Sequence, residues 1–400
     1  MAIDFPNSPT VGQIFTSGGA TWEWDGAKWT AAPTGSTDAP TDGKLYERQN
    51  QAWALDPIQT DVPDTNNYVR QQGLWVPEVS TFGGGFLNKL RNGTFDVWQR
   101  GTAAAVPPSP NKYTADGWQV VDAGTACSVG QGARIGQSLY SLSIVGIAGN
   151  TGESVYAKVE SMIAAPLSGR ICTFQCALWN STGATITPAL TLSYPNAADN
   201  WSASTVFLSA VNLQPCPTGV TTKIAYTFTA AANVTSGMML QLNVGAITSG
   251  NIAIADADLR ATPGLPVGLC ANPPPPELRP IHVTLAECQR YYEKSYDLST
   301  NIGSNTPNGQ IQIAADGLSS ASHTAIIVTS FAVRKRIVPP TVMIYSATSG
   351  ASGYLHEEWA NADVAATLLA IGERGFSTSC TVPPSTGYNL VGHWTASAEL

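Results

Sequence analysis

Over most of the chain apolar residues alternate with polar ones at a period of two, broken by Gly, Asn, Pro and Thr. From about Phe86 to Leu265 the runs SLYSLSIVG, SVYAKVESMI, RICTFQCALWN, TPALTLSY, TKIAYTFTA, MMLQLNVG and NIAIADADLR are rich in Val, Ile, Thr and aromatics. Alternation of this kind puts one side of a strand in a core and the other in water, and turn residues at this spacing predict one antiparallel, jelly-roll-like β-sandwich over 86–265. A second set, including HTAIIVTSFAV, PTVMIYSA and LVGHWTASAEL, predicts a C-terminal β-domain over 297–400. Its strands are too few and short to bury a generous core alone.

Between these regions the period changes. Pro273 to Pro276 cannot join a ladder and favour extended geometry, so they predict a stiff spacer. Thr284 and Glu287 have the spacing of a capping box, which predicts a short linker helix from about Leu285 to Lys294, with the spacer and helix together covering 273–296. Leu285, Cys288 and Tyr292 would share one face of it and offer a contact between copies of the chain. About ten residues would not associate alone.

The first eighty residues carry a repeat. WEWDGAKW (Trp22 to Trp29), YERQNQAW (Tyr46 to Trp53) and YVRQQGLW (Tyr68 to Trp75) each open on an aromatic residue and close on Trp, starting 24 and then 22 residues apart. Turn chemistry inside the units, Asp25-Gly26 above all, predicts three small hairpins in a region spanning 1–80. One hairpin cannot bury an aromatic face alone. Trp22, Trp24, Trp29, Tyr46, Trp53, Tyr68 and Trp75 must therefore pack on neighbouring repeats, on other copies of the chain or on a larger structure; sugar-binding platforms are the alternative.

Composition narrows the function. Charged residues are 12% of the chain and the net charge is -8, with RKR at 334 to 336 as the one basic cluster, so nucleic acid is not expected as a partner. The seven cysteines are scattered, and Cys172 and Cys176 in a strand would lie roughly 13 Å apart, too far for a disulfide. They read as buried thiols. MAIDFPNSP has neither a positive n-region nor an apolar run, and no stretch approaches membrane-spanning length, so the expectation is a protein made and assembled in the cytoplasm without membrane insertion.

ELRPIHVTLAECQRYYEKSY resembles a segment of tailed-phage tail-fibre and other virion structural proteins, in which a CQRYYEK helix precedes the distal domain. FPNSPTVGQIFTSGGATWEWDGAKW, LRNGTFDVWQRGT with YTADGW, and GHWTASAEL fit the same group. The resemblance implies a homotrimeric tail fibre, held to tail or baseplate proteins by its N-terminus and contacting a host glycan or protein with its C-terminal domain. NGTFDVW and IAIADADL also resemble the first and last strands of jelly-roll carbohydrate-binding modules. That likeness implies a structural calcium at Asp96 and Asp256 as the candidate cofactor, although Ala255 stands where a second acidic residue is usual. The alternative is that Asp96 caps a turn.

The glycine-rich stretch 346–363 is the candidate for receptor contact, because Tyr354, His356, Glu357, Glu358 and Trp359 combine aromatic faces with acids and a histidine; the alternative is a loop that packs on a neighbouring subunit. Glu357 and Glu358 would point to opposite sides of a strand, which is poor geometry for a glycosidase pair. No nucleophile elbow, phosphate loop or HExxH helix is present, so no enzyme is expected. Two other readings stay open: a head or decoration fibre without a receptor role, and a polysaccharide-degrading enzyme with a carbohydrate-binding module.

Overall fold

The computed structural model describes residues 3–32, 46–49, 52–55, 68–71, 74–77, 86–105, 113–316, 322–382, 384 and 387–400. The protein is mainly β, in several antiparallel sheets. It divides into two compact units, Met1–Ser80 and Thr81–Leu400. Among the described residues no helix is long and apolar enough to cross a membrane.

In the first unit Ile14–Ser17, Ala20–Trp24 and Trp29–Ala31 form a three-stranded sheet. Its second turn is made by Asp25, whose carboxylate accepts the amides of Ala27 and Lys28 at 2.9 Å, and by Gly26 at φ 101°. Phe5 lies 5.3 to 5.4 Å from the rings of Phe15, Trp22 and Trp29, so this hairpin covers its aromatics with its own leading segment. Trp24 packs on Trp29 at 5.6 Å. The other two hairpins are present as Tyr46–Gln49 with Ala52–Leu55 and Tyr68–Gln71 with Leu74–Pro77. The repeat is exact in register, with Trp24 opposite Trp29, Arg48 opposite Trp53 and Arg70 opposite Trp75. The side chains of Tyr46, Trp53, Tyr68 and Trp75 lie outside the described residues.

The second unit opens with a β-sandwich. A seven-stranded sheet runs in the order Gly268–Leu269, Thr221–Thr229, Ile171–Asn180, Asn251–Ala261, Ser141–Val145, Ser128–Gly132, Ala103–Ala105. It faces a five-stranded sheet in the order Asn200–Asn212, Ala189–Ala197, Met238–Gly245, Asn150–Val159, Trp118–Gly124. Trp118, Phe174, Leu178, Leu190, Phe228 and their neighbours fill the space between. NGTFDVW, read as an opening strand, is instead a tight coil over the end of the core. The side chain of Asn92 accepts Val97 N–H and donates to the carbonyls of Val97 and Asp116, replacing a ladder, while Phe95 and Trp98 are buried beneath.

The helix also differs from expectation. It spans Ile281–Gln289, with Pro280 at its N-cap and Thr284 buried within it. Glu287 accepts Arg279 at 2.8 and 2.6 Å rather than closing a capping box, and Tyr292–Lys294 leaves the helix to pair with Thr395 to Ser397. Tyr292 therefore shares no helix face with Leu285 and Cys288. Cys288 and Tyr292 are buried in their own chain, and Leu285 is half-buried. The prolines do not run free: the carbonyls of Pro274 and Pro275 accept Gln175 and Arg260 from the seven-stranded sheet at 2.6 and 2.7 Å.

In the C-terminal region one strand, Gly387–Ser397, pairs with Tyr292–Lys294, Ile311–Asp316, Thr341–Ser346 and Tyr354–Glu357. A three-stranded sheet of His323–Ser330, Gly375–Val382 and Thr367–Ile371 completes a second core around Leu355, Phe376, Leu390 and Trp394. Past Ser397 the chain meets the sandwich. Glu399 accepts Arg91 at 3.1 Å and Arg100 at 2.9 Å, and Leu400 O accepts Tyr113 and Lys158 at 3.1 and 2.9 Å.

Burial opposes ionisation of Glu399, but Arg91 and Arg100 outweigh it and hold the carboxyl below its ordinary 4.5. The resulting stability is present above the unfolded value and is lost as pH falls through the lower folded one. Glu399→Ala leaves two buried guanidiniums short of a partner and is expected to cost roughly 3–5 kcal/mol at neutral pH. Urea unfolding measures it; the difference from the parent should shrink below about pH 4, and equal stability at neutral pH would contradict this account.

Candidate functional site

The site is built by the strand Ile171–Asn180, which lies between Thr221–Thr229 and Asn251–Ala261 in the seven-stranded sheet. Cys172, Phe174, Cys176 and Leu178 point into the core, so Thr173, Gln175 and Trp179 lie on the outer face. That face is divided in two. At one end Thr173 bonds Thr227 and Thr262, and Gln175 lies under the proline tract. At the other end the face is open around Trp179, which stands opposite Thr221 on one side and Ala253 on the other, with Ser143 next in the row. A groove of about 450 Å³ lies there.

One wall of the groove is the loop between Ser128–Gly132 and Ser141–Val145, which contributes Arg134 and Ile135. Asp256 holds it. At a bulge in Asn251–Ala261, with φ 54°, its carboxylate accepts the amides of Gln137 and Ser138 at 2.7 and 2.8 Å and the hydroxyl of Ser138. Only glycine fits at 136, where a Cβ would stand 2.1 Å from the Asp256 carboxylate. The lining is polar on both sides of the indole. Asn251 donates to Ser143 Oγ at 3.4 Å and accepts Ser181 Oγ, while Arg134 donates Nε to Gly136 O at 3.0 Å. An aromatic face, hydroxyls, an amide and a guanidinium in one groove suit a ligand with both apolar faces and many hydroxyl groups.

Calcium does not fit Asp256, because three N–H and O–H donors stand where a cation would. Asp96 is half-buried, burial raises its carboxyl pKa, and Asp96 Oδ1 has no hydrogen-bond partner.

The stretch 346–363 is largely a hairpin, Tyr354–Glu357 against Ala362–Ala365, rather than an irregular loop. His356 is buried, with Nδ1 3.0 Å from Asp363, whose oxygens also accept Ser346 and Ser349. Burial works against ionisation of Asp363, yet those hydrogen bonds hold its carboxyl below the usual range. Glu357 is buried too and caps the turn, accepting the amides of Trp359, Ala360 and Asn389. Tyr354 and Trp359 remain exposed, at 41% and 54%. Beside them Gln312 donates to Asn389, which donates to Glu358. Of the five expected contact residues, His356 and Glu357 hold the fold, while Tyr354, Glu358 and Trp359 face outward.

Trp179 was missed as a site residue, yet RICTFQCALWN places it at an outward position among inward Cys, Phe and Leu. A large aromatic in a polar register was the available signal.

No protein-family model and no curated protein matches the chain. Among solved structures it is similar to the enzymatically active domain of bacteriophage CBA120 tailspike protein 4, at 14% identity and TM-score 0.31, over 44% of this chain and 22% of that one. It is similar to TmCBM61 in complex with β-1,4-galactotriose, at 15% identity and TM-score 0.28, over 44% and 99% of the two chains. The C-terminal family 22 carbohydrate-binding module of Clostridium thermocellum Xyn10B covers 38% of this chain and 89% of its own length, at 14% identity and TM-score 0.28.

Proposed function

We propose that this chain is a glycan-binding component of a tailed-phage-type fibre, with the groove at Trp179 as its binding site and no catalytic turnover. The observation that carries the reading is the division of the outer face of the seven-stranded sheet. The proline tract covers one end and leaves the other open around an indole flanked by Ser143, Thr221 and Asn251. A sugar ring stacks its C–H face on the indole while its hydroxyls meet the hydroxyls and amide beside it. The resemblance of CQRYYEK and WEWDGAKW to fibre proteins supplies the setting: attachment to the virion by the N-terminal hairpins, three chains per fibre, and avidity that makes a weak single site sufficient.

A second reading places the contact at the C-terminal hairpin. It is favoured by the exposure of Trp359 and Tyr354 beside the Gln312–Asn389–Glu358 row.

A glycan array probed with the full-length protein tests both. Trp179→Ala removes the platform and is expected to weaken binding roughly tenfold or more, equivalent to about 1.4 kcal/mol, while leaving the unfolding midpoint nearly unchanged. Trp359→Ala should bind like the parent. If Trp359→Ala loses binding and Trp179→Ala keeps it, the contact is at the C-terminal hairpin; if neither binds less, the glycan reading of both surfaces fails.

Asp256→Ala leaves the amides of Gln137 and Ser138 without their acceptor. It is expected to cost roughly 1–3 kcal/mol and to speed hydrogen exchange at those amides, with weaker glycan binding as the wall loosens. Unchanged exchange would show that the loop does not depend on Asp256.

A further inference from the structure

We propose that the sandwich binds a divalent cation of the zinc type inside its core, through Asp122, Cys127 and Glu153. Pairing of Trp118–Gly124 with Asn150–Val159 sets Asp122 directly opposite Glu153, and Cys127 immediately precedes Ser128–Gly132 of the other sheet. A carboxylate oxygen from each acid and the Cys127 sulfur all lie within 4.8 Å of one another. The three residues are 6%, 0% and 1% exposed in chain order.

Each acid gives one oxygen to the fold. Asp122 Oδ1 accepts Cys127 N–H at 2.8 Å, and Glu153 Oε1 accepts the Asn150 amide, whose own oxygen takes Ile247 N–H at 2.9 Å. The other two oxygens, Asp122 Oδ2 and Glu153 Oε2, are buried without a hydrogen-bond partner. No ion pair reaches either acid among the described residues. Carboxylates opposed on paired strands repel, and an unpaired buried charge is costly, so two carboxylates that each keep an unpartnered oxygen, clustered with a sulfur, are the donor set of a cation. The thiol selects which one. Calcium and magnesium take oxygen ligands, whereas zinc accepts thiolate and carboxylate together. Zinc bonds of about 2.0–2.3 Å place tetrahedral ligands roughly 3.3–3.7 Å apart, a small contraction for side chains this close. The Ile247 carbonyl, 4.0 Å from the sulfur, offers a fourth donor. The ion would tie the edge of the five-stranded sheet to the chain entering the seven-stranded one, and a site this deep would load as the protein folds.

The test unfolds the full-length protein with a chelator and refolds it with a several-fold excess of Co²⁺ or Zn²⁺. The expected result is one ion per chain, a thiolate-to-cobalt charge-transfer band, and a higher unfolding temperature than the metal-free protein. Cys127→Ser should remove the band, and Glu153→Gln should weaken uptake roughly tenfold or more. Refolded parent protein that takes up neither ion overturns the proposal and leaves the two acids sharing a proton. Uptake unchanged in both variants also overturns it, by placing the ion elsewhere. Should one variant fail to fold, the other still decides, and a parent cobalt spectrum without a thiolate band is contrary on its own.

Discussion

Glu399 sits between Arg91 and Arg100 where water scarcely reaches, and the geometry of the second unit follows from satisfying that carboxylate. Arg91 lies over the ring of Tyr291 at 3.4 Å and Arg100 over that of Tyr292 at 3.6 Å, so the same two guanidiniums hold the segment after the helix. Asp116 takes the other side of Arg100 at 3.0 Å, giving two cations to two acids. Burial pushes the Asp116 carboxyl up to about 6 against the pull of Arg100. Nearby, Glu160 accepts Tyr291 Oη at 2.6 Å and Arg290 at 2.8 Å. Buried charges are tolerated only when such partners are complete, so the helix exit and the last strand have one workable position on the sandwich.

This docking also decides which surface is free. Arg260 is shared between Asp258 and the Pro275 carbonyl, and Asp258 accepts Glu277 N–H at 2.7 Å. The proline tract is thereby drawn across the outer face of the seven-stranded sheet rather than away from it. A sheet face that would otherwise be uniformly open becomes half closed, and the remaining half is bounded by the loop that Asp256 holds. Rigid walls of this kind limit the entropy lost by any ligand-binding surface they enclose.

The legible parts were those with local causes. Alternation placed the sandwich strands, and Asp25-Gly26 placed the first hairpin, because strand period and turn chemistry act within a few residues. The helix start was misread because Thr284 and Glu287 have capping spacing, while Glu287 is claimed by Arg279, which also donates to the Asn88 carbonyl 191 residues away. The Glu399 pairs span 308 and 299 positions, and nothing near either end announces them. His356 and Glu357 have the chemistry of a contact site in sequence, but whether such groups face solvent depends on strand pairing, and here pairing and turn capping bury both.

Aromatic residues show why partners matter more than residue type for finding a surface that binds. Trp22 and Trp29 are in ring contact with Phe5 and Phe15, so the most conspicuous sequence motif is largely spent on its own small core. Trp118 and Trp98 give their indole N–H groups to main-chain carbonyls and are buried. Trp179 has cross-strand neighbours no larger than Thr221 and Ala253 and is half-buried where it lines the groove. An indole held on a rigid strand between small residues loses little freedom when a ligand covers it, whereas one embedded among rings has no face to offer.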